Sequence, residues 1–78
     1  LADDKHSHAV TVCVTLTGIW TGSQNGNINI WRLDGNFQST FRAHDDIVRQ
    51  MVVIPNIGVL SSSNDYTLKL WGFDGQLM

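Results

Sequence analysis

Apolar and polar positions alternate along most of this chain. Val10, Val12 and Val14 are interleaved with Thr11 and Cys13, Ile28 and Ile30 with Asn27 and Asn29, and Leu68 and Leu70 with Thr67 and Lys69. A period of two is the mark of a β-strand, because successive side chains leave a pleated strand on opposite faces. No stretch repeats at 3.6 residues. Turn signals separate the alternating runs: Asn25-Gly26, Asp34-Gly35 and Asp74-Gly75 are hairpin dipeptides that tolerate positive φ, and Pro55-Asn56 with Gly58 marks another reversal. The pattern predicts strands over 9–16, 19–23, 28–33, 37–42, 47–54, 59–63 and 67–73, with a stub at 76–78. The first run, with its three valines, is expected to be a largely buried strand.

The chain also repeats itself. Sliding residues 18–35 forward by 40 positions superposes Gly18 on Gly58, Ser23 on Ser63, Trp31 on Trp71 and Asp34-Gly35 on Asp74-Gly75. Most intervening pairs keep their type, as with Ile19 and Val59, Thr21 and Ser61, or Ile30 and Leu70. Upstream, His6 and Val10 match His44 and Val48 after a two-residue gap. A period of about 40–45 residues with four short strands in each is the signature of a propeller blade. The fold class expected is therefore all-β, built from antiparallel four-stranded units.

Composition agrees. Val, Ile and Thr together number 19, there is no Glu, and only three residues are Ala. Branching at Cβ disfavours helices and suits a pleated surface. With 42% hydrophobic and 15% charged residues the chain is too apolar for a disordered segment. A net charge of -2 argues against a surface made for phosphate backbones, so no nucleic-acid partner is expected. No apolar run approaches the roughly 18 residues of a membrane span, and no membrane partner is expected. One cysteine excludes an internal disulfide.

The units resemble the WD-repeat family. Ala43-His44, then Val48, then Leu60-Ser61-Ser62-Ser63-Asn64-Asp65, then Thr67-Leu68-Lys69-Leu70-Trp71 carry the likeness in the second, and Thr21-Gly22-Ser23-Gln24-Asn25-Gly26 with Ile28-Asn29-Ile30-Trp31 in the first. The match departs from the family pattern at Arg32 and Gly72, where Asp usually follows Trp, at Ala43 in place of Gly, and at Asn25 in place of the turn Asp. The resemblance implies a fragment of a β-propeller: a linker over 1–8, one blade over 9–42, and a second over 43–78 truncated in its outermost strand. Since single blades cannot hide their apolar faces, the isolated 78-residue chain is expected to aggregate or fold only in part. His44-Asp45-Asp46-Ile47-Val48-Arg49 and Ser63-Asn64-Asp65 are similar to a narrower subgroup, the phospholipase A-2-activating proteins. That likeness implies ubiquitin or a ubiquitinated protein as partner, an AAA ATPase segregase reached through other regions, ubiquitin-dependent protein degradation, and a cytoplasmic or nuclear setting.

By the same resemblance His44, Ser61, Asp65 and Trp71 form a structural hydrogen-bonded tetrad, with His6, Thr21, Asn25 and Trp31 as its counterpart in the first blade. The same residues include the ingredients of a Ser-His-Asp hydrolase. However, Ser61 lies mid-strand with no Gly-x-Ser-x-Gly elbow, so a structural role is expected and no catalytic residue is assigned. His6-Ser7-His8 lacks a third ligand, so neither metal nor cofactor is expected. Cys13 is expected to be a buried, inert thiol. Family resemblance places partner contacts at Ile47, Arg49 and Asn64 in the second blade and at Ala9, Thr11 and Gln24 in the first. The function implied is a non-catalytic interaction scaffold, in the ubiquitin pathway or as a generic WD-repeat adaptor.

Overall fold

The computed structural model describes residues 8–78; His6 and Ser7, and with them part of the first tetrad and of the possible metal pair, lie outside the described residues. Seven strands follow in chain order: β1 (Ala9–Val14), β2 (Ile19–Ser23), β3 (Asn27–Trp31), β4 (Phe37–Arg42), β5 (Val48–Ile54), β6 (Gly58–Ser63) and β7 (Leu68–Trp71). They form two antiparallel meanders, β1-β2-β3-β4 and β5-β6-β7. A single bridge between Trp71 and Leu77 begins a fourth strand on the second sheet.

Three strands end earlier than the alternation predicts, because side chains at their ends recruit the backbone into turns. The Thr15 hydroxyl accepts the N–H groups of Thr17 and Gly18 at 3.2 and 3.0 Å, which stops β1 at Val14. In the Asp34-Gly35 turn, Gly35 N–H donates to the Arg32 carbonyl at 2.8 Å and Asn36 N–H to the Asp34 carboxylate at 3.0 Å, ending β3 at Trp31. Asp74-Gly75 does the same after β7, with Gly75 N–H on the Gly72 carbonyl and Gln76 N–H on the Asp74 carboxylate. Gly26, Gly35 and Gly75 all take positive φ.

The repeat is visible in the register. Val12 pairs with Thr21 as Met51 pairs with Ser61, and Trp20 pairs with Ile30 as Leu60 pairs with Leu70. Both innermost strands carry a bulge at the same place, at Val10 between Ala9 and Thr11 and at Arg49 between Val48 and Gln50. The offset between β1 and β5 is therefore 39 residues. Ala9, and not Val10, is the counterpart of Val48: Ala9 faces Ser23 where Val48 faces Ser63.

The core is the seam between the sheets. Trp20, Ile28 and Ile30, with Cys13 and Phe41 at the margin, face Val48, Met51, Val59 and Trp71. Phe41, partly buried, bridges the two sheets, with ring centroids 5.8 Å from Trp20 and 4.8 Å from Trp71. The three valines of β1 are not buried as the alternation suggests. Val10, Val12 and Val14 are 44, 60 and 63% exposed. They project from the outer face of the first sheet, and Thr11 and Cys13 from the face turned to the seam. Alternation shows that a strand has two faces but not which of them a neighbour covers.

Gly22 marks the closest approach. A Cβ there would lie 2.7 Å from Val48 Cγ1 and 2.8 Å from Thr11 Cγ2. Gly22→Ala is expected to lower unfolding stability by about 1–3 kcal/mol through overpacking of the seam, read from the shift in urea midpoint. Ser62→Ala, at the equivalent position of the second sheet, should change it little.

Candidate functional site

At one end of the sheets the β4–β5 connection meets the β2–β3 and β6–β7 turns. The Gly26 carbonyl accepts the N–H groups of both Ala43 and His44 at 3.0 Å, which fixes the connection to the first sheet. A side chain at Gly26 would collide with the His44 carbonyl, so glycine is required there. On the second sheet, Asp45 N–H donates to the Asp65 carboxylate at 3.0 Å, Ser63 Oγ to the Asp46 carbonyl at 3.3 Å, and Asn64 N–H to the Ile47 carbonyl at 3.4 Å. Lys69 Nζ holds the Ala43 carbonyl at 2.8 Å.

Beneath this rim, His44, Ser61, Asp65 and Trp71 form one hydrogen-bonded chain. Asp65 Oδ2 is 3.1 Å from His44 Nδ1, His44 Nε2 is 2.8 Å from Ser61 Oγ, and Trp71 Nε1–H donates to Ser61 Oγ at 2.8 Å. One assignment satisfies every atom. A carboxylate only accepts, so Nδ1 carries the ring proton, Nε2 accepts from the Ser61 hydroxyl, and the Ser61 oxygen accepts from the indole. Trp71 has no other donor, and a buried indole without a partner is costly.

The geometry resembles a hydrolase triad, but its serine is enclosed by the fold. Ser61 is 0% exposed and its oxygen is already engaged by the indole, so no substrate carbonyl reaches it. In the first sheet, Trp31 Nε1–H donates to Thr21 Oγ1 at 3.0 Å, the counterpart of the Trp71–Ser61 bond. Asn25 uses its side-chain oxygen to accept Asn27 N–H at 3.1 Å.

Two members of this support carry no obvious sequence signal. Thr67 Oγ1 donates to Asp65 Oδ1 and lies 3.0 Å from His44 Nδ1. The Thr67 hydroxyl, helped by the N–H groups of Asp45 and Thr67 and by the His44 ring, holds the Asp65 carboxyl well below the usual carboxylate range against a smaller opposing effect of desolvation. A Thr two residues after a turn Asp is the signal that could have found it. Tyr66 is the second. It occupies the position of Gly26 with φ 71° and is 98% exposed. An aromatic residue in the left-handed region is uncommon and marks a turn that displays its side chain.

The residues expected to contact a partner do not all share this rim. Ile47, Arg49 and Asn64 lie together, with Ile47 half-buried and the other two exposed. Arg49 is the bulged residue of β5, unpaired in the ladder; bulges re-aim a side chain in this way. Ala9 and Gln24 are exposed near the corresponding turn of the first sheet, where Gln24 N–H donates to the His8 carbonyl at 3.0 Å. Thr11 turns its methyl to the seam beside Val48 and Gly22, so it serves packing. With the 39-residue offset, the counterparts of Ile47 and Arg49 are His8 and Val10. Cys13 is half-buried, not fully buried, and desolvation raises its thiol pKa.

Among the described residues no cluster of three or more His, Cys, Asp or Glu side chains could hold a metal ion. At the opposite end, a groove of about 550 Å³ between Val14, Leu16, Val53, Pro55 and Phe73 has no charged residue in its lining.

Among the described residues, seven antiparallel strands in two repeated sheets, without a helix, define a fragment of a WD-repeat β-propeller. The relatives agree. The chain is 38% identical over 53 residues to ribosome biogenesis protein YTM1 of Saccharomyces cerevisiae, a match covering 68% of this chain and 12% of that protein. It is 28% identical over 69 residues to YTM1 of Candida glabrata, covering 88% and 15%. WD repeat-containing protein 97 of Homo sapiens is 33% identical over 60 residues, covering 76% and 4%. Among solved structures, the computationally designed Ika4 protein superposes with a TM-score of 0.80 at 26% identity, over 92% of this chain and 46% of that one. No family model matches. The chain thus spans about an eighth of the length of its YTM1 relative. The names of these relatives give no support to the ubiquitin-binding subgroup expected from His44–Arg49 and Ser63–Asp65.

Ser61→Ala is expected to cost about 1–3 kcal/mol for each partner it orphans, His44 Nε2 and Trp71 Nε1, whereas Ser61→Thr, which copies Thr21, should retain most of the stability in chemical denaturation. The depressed Asp65 pKa also gives a sign. Its stabilisation is present above the unfolded carboxylate value of about 4 and is lost as pH falls toward the folded value. Acid titration followed by circular dichroism should show unfolding on the low-pH side, and Asp65→Asn should flatten that limb while lowering stability at neutral pH.

Proposed function

We propose that this chain is part of a non-catalytic scaffold that docks a protein partner on the rim carrying Ile47, Arg49 and Asn64, with Tyr66, Ala9 and Gln24 beside them. The observation that carries the reading is the Arg49 bulge. The β5 ladder is interrupted to release one cation two residues from the half-buried Ile47, near the β6–β7 turn that the tetrad supports and that displays Tyr66. Arg and Tyr are the residue types most often found at interface hot spots, and an apolar neighbour lets them exclude water. Rigid support lowers the entropy cost of docking. The Ser61 hydroxyl, held by His44 and the Trp71 indole, is consumed by the fold.

We assign the partner to ribosome biogenesis and the setting to the nucleus, a reading supported by the name of the YTM1 relatives. The ubiquitin pathway and the AAA ATPase segregase rest only on the likeness of His44–Arg49 and Ser63–Asp65 to one subgroup. A generic adaptor function would use the same rim.

The test is the tagged protein carrying Arg49→Glu, purified from cells and compared with wild type by quantitative mass spectrometry. Pre-ribosomal particles should co-purify with wild type and fall at least tenfold with the variant, at unchanged thermal stability. Retention of those particles by the variant would remove the rim from the reading, and enrichment of ubiquitin conjugates in their place would restore the subgroup assignment.

A further inference from the structure

Asn25-Gly26 is the one Asn-Gly dipeptide in the chain. Asparagine is a thermolabile residue, and glycine after it leaves the following amide nitrogen unhindered. In an open chain the Gly26 nitrogen gives its proton to solvent and bonds to Asn25 Cγ. The Cγ–Nδ2 bond breaks, and ammonia leaves. The resulting cyclic imide takes up water. Opening at Cγ gives aspartate, with the main chain as before. Opening at the main-chain carbonyl gives isoaspartate, in which the chain runs on through Cβ and Cγ and is longer by an atom.

The fold ties down every group that must move in this reaction. Gly26 N–H donates to the Ser23 carbonyl at 3.2 Å, and the Asn25 carbonyl accepts from Arg42 Nη1 at 3.3 Å, so the peptide group between the two residues is held at both ends. Asn25 Oδ1 accepts Asn27 N–H at 3.1 Å, which fixes the carboxamide. Gly26 itself is buried, its carbonyl carries the Ala43 and His44 amides, and the His44 and Asp46 carbonyls fill the space where a Cβ would stand. We propose that Asn25-Gly26 is a deamidation site that the native turn locks and that unfolding opens, and that its isoaspartate product cannot return to the fold. The two products differ in what they ask of the turn. An aspartate at 25 can still accept Asn27 N–H, as Asp65 Oδ1 accepts Thr67 N–H at 3.0 Å in the second unit. An isoaspartate inserts its extra atom beside a glycine with no room for one, and it displaces the carbonyl that joins the units. At Gly35, by contrast, nothing lies within 4 Å of the Cβ position, so a longer chain there meets open space. Deamidation at Asn25 thus records that a molecule has been unfolded.

The test ages the full-length protein that contains this chain in mildly alkaline buffer, with and without denaturing urea, and follows Asn25 by peptide mapping. Deamidation should be at least tenfold slower in the native sample. The urea-aged sample is then returned to native buffer and divided by size exclusion into folded and misfolded fractions. Electron-transfer fragmentation, which distinguishes the two isomers, should find aspartate at position 25 in the folded fraction and isoaspartate confined to the misfolded one. Asn25→Ser cannot form the imide, and the backbone at 25 does not take positive φ, so serine fits the turn. That variant, aged in the same way, should keep its refolding yield while wild type loses it. Equal rates with and without urea, isoaspartate in the folded fraction, or an equal loss of yield by Asn25→Ser would overturn the proposal.

Discussion

Neither sheet can stand without the other. A four-stranded meander of this size has two apolar faces, and burying one against a neighbour supplies most of what offsets the entropy of ordering its backbone. The Trp20–Phe41–Trp71 contact is where that happens. Phe41 comes from β4 of the first sheet and Trp71 from β7 of the second, so the aromatic contact ties the last strand of one sheet to the last strand of the next. Gly22 is the price of this proximity: only a residue without Cβ lets Val48 and Thr11 come so near.

The polar tetrad serves the same seam from inside. Trp71 brings apolar area but also one N–H that must be satisfied, and Ser61, His44 and Asp65 carry that requirement outward to the turn. Packing and polarity are therefore coupled. The residues that hold the indole also anchor the Asp45 amide, so the core sets the shape of the rim. This explains how a serine, a histidine and an aspartate come to be aligned within hydrogen-bond distance: the alignment satisfies the buried indole.

Much of this was legible before any coordinates. The turn dipeptides marked the reversals at Gly26, Gly35 and Gly75, and the 40-residue offset paired Trp31 with Trp71. The contacts among His44, Ser61, Asp65 and Trp71 were expected only through family resemblance, because nothing in their spacing says that they meet. The valines of β1 were misread, since a period of two is the same whichever face is covered. The bulges at Val10 and Arg49 were also hidden: one inserted residue leaves the alternation on either side intact but shifts its phase, and the first-strand match slipped by one for that reason. Thr67 escaped because a hydroxyl beside a turn reads as ordinary strand chemistry. The ubiquitin assignment came from two short motifs that lie mostly in residues the fold itself uses.

The Gly26 carbonyl has a broader meaning. By taking two main-chain amides from the start of the second unit, it joins the units through main-chain atoms and asks of side chains only that Gly26 have none and that positions 43 and 44 not be proline. Residues at neighbouring turn positions, such as Gln24, Asn64 and Tyr66, can then be exchanged without disturbing the joint. Evolution can rewrite what such a surface recognises while leaving its framework untouched.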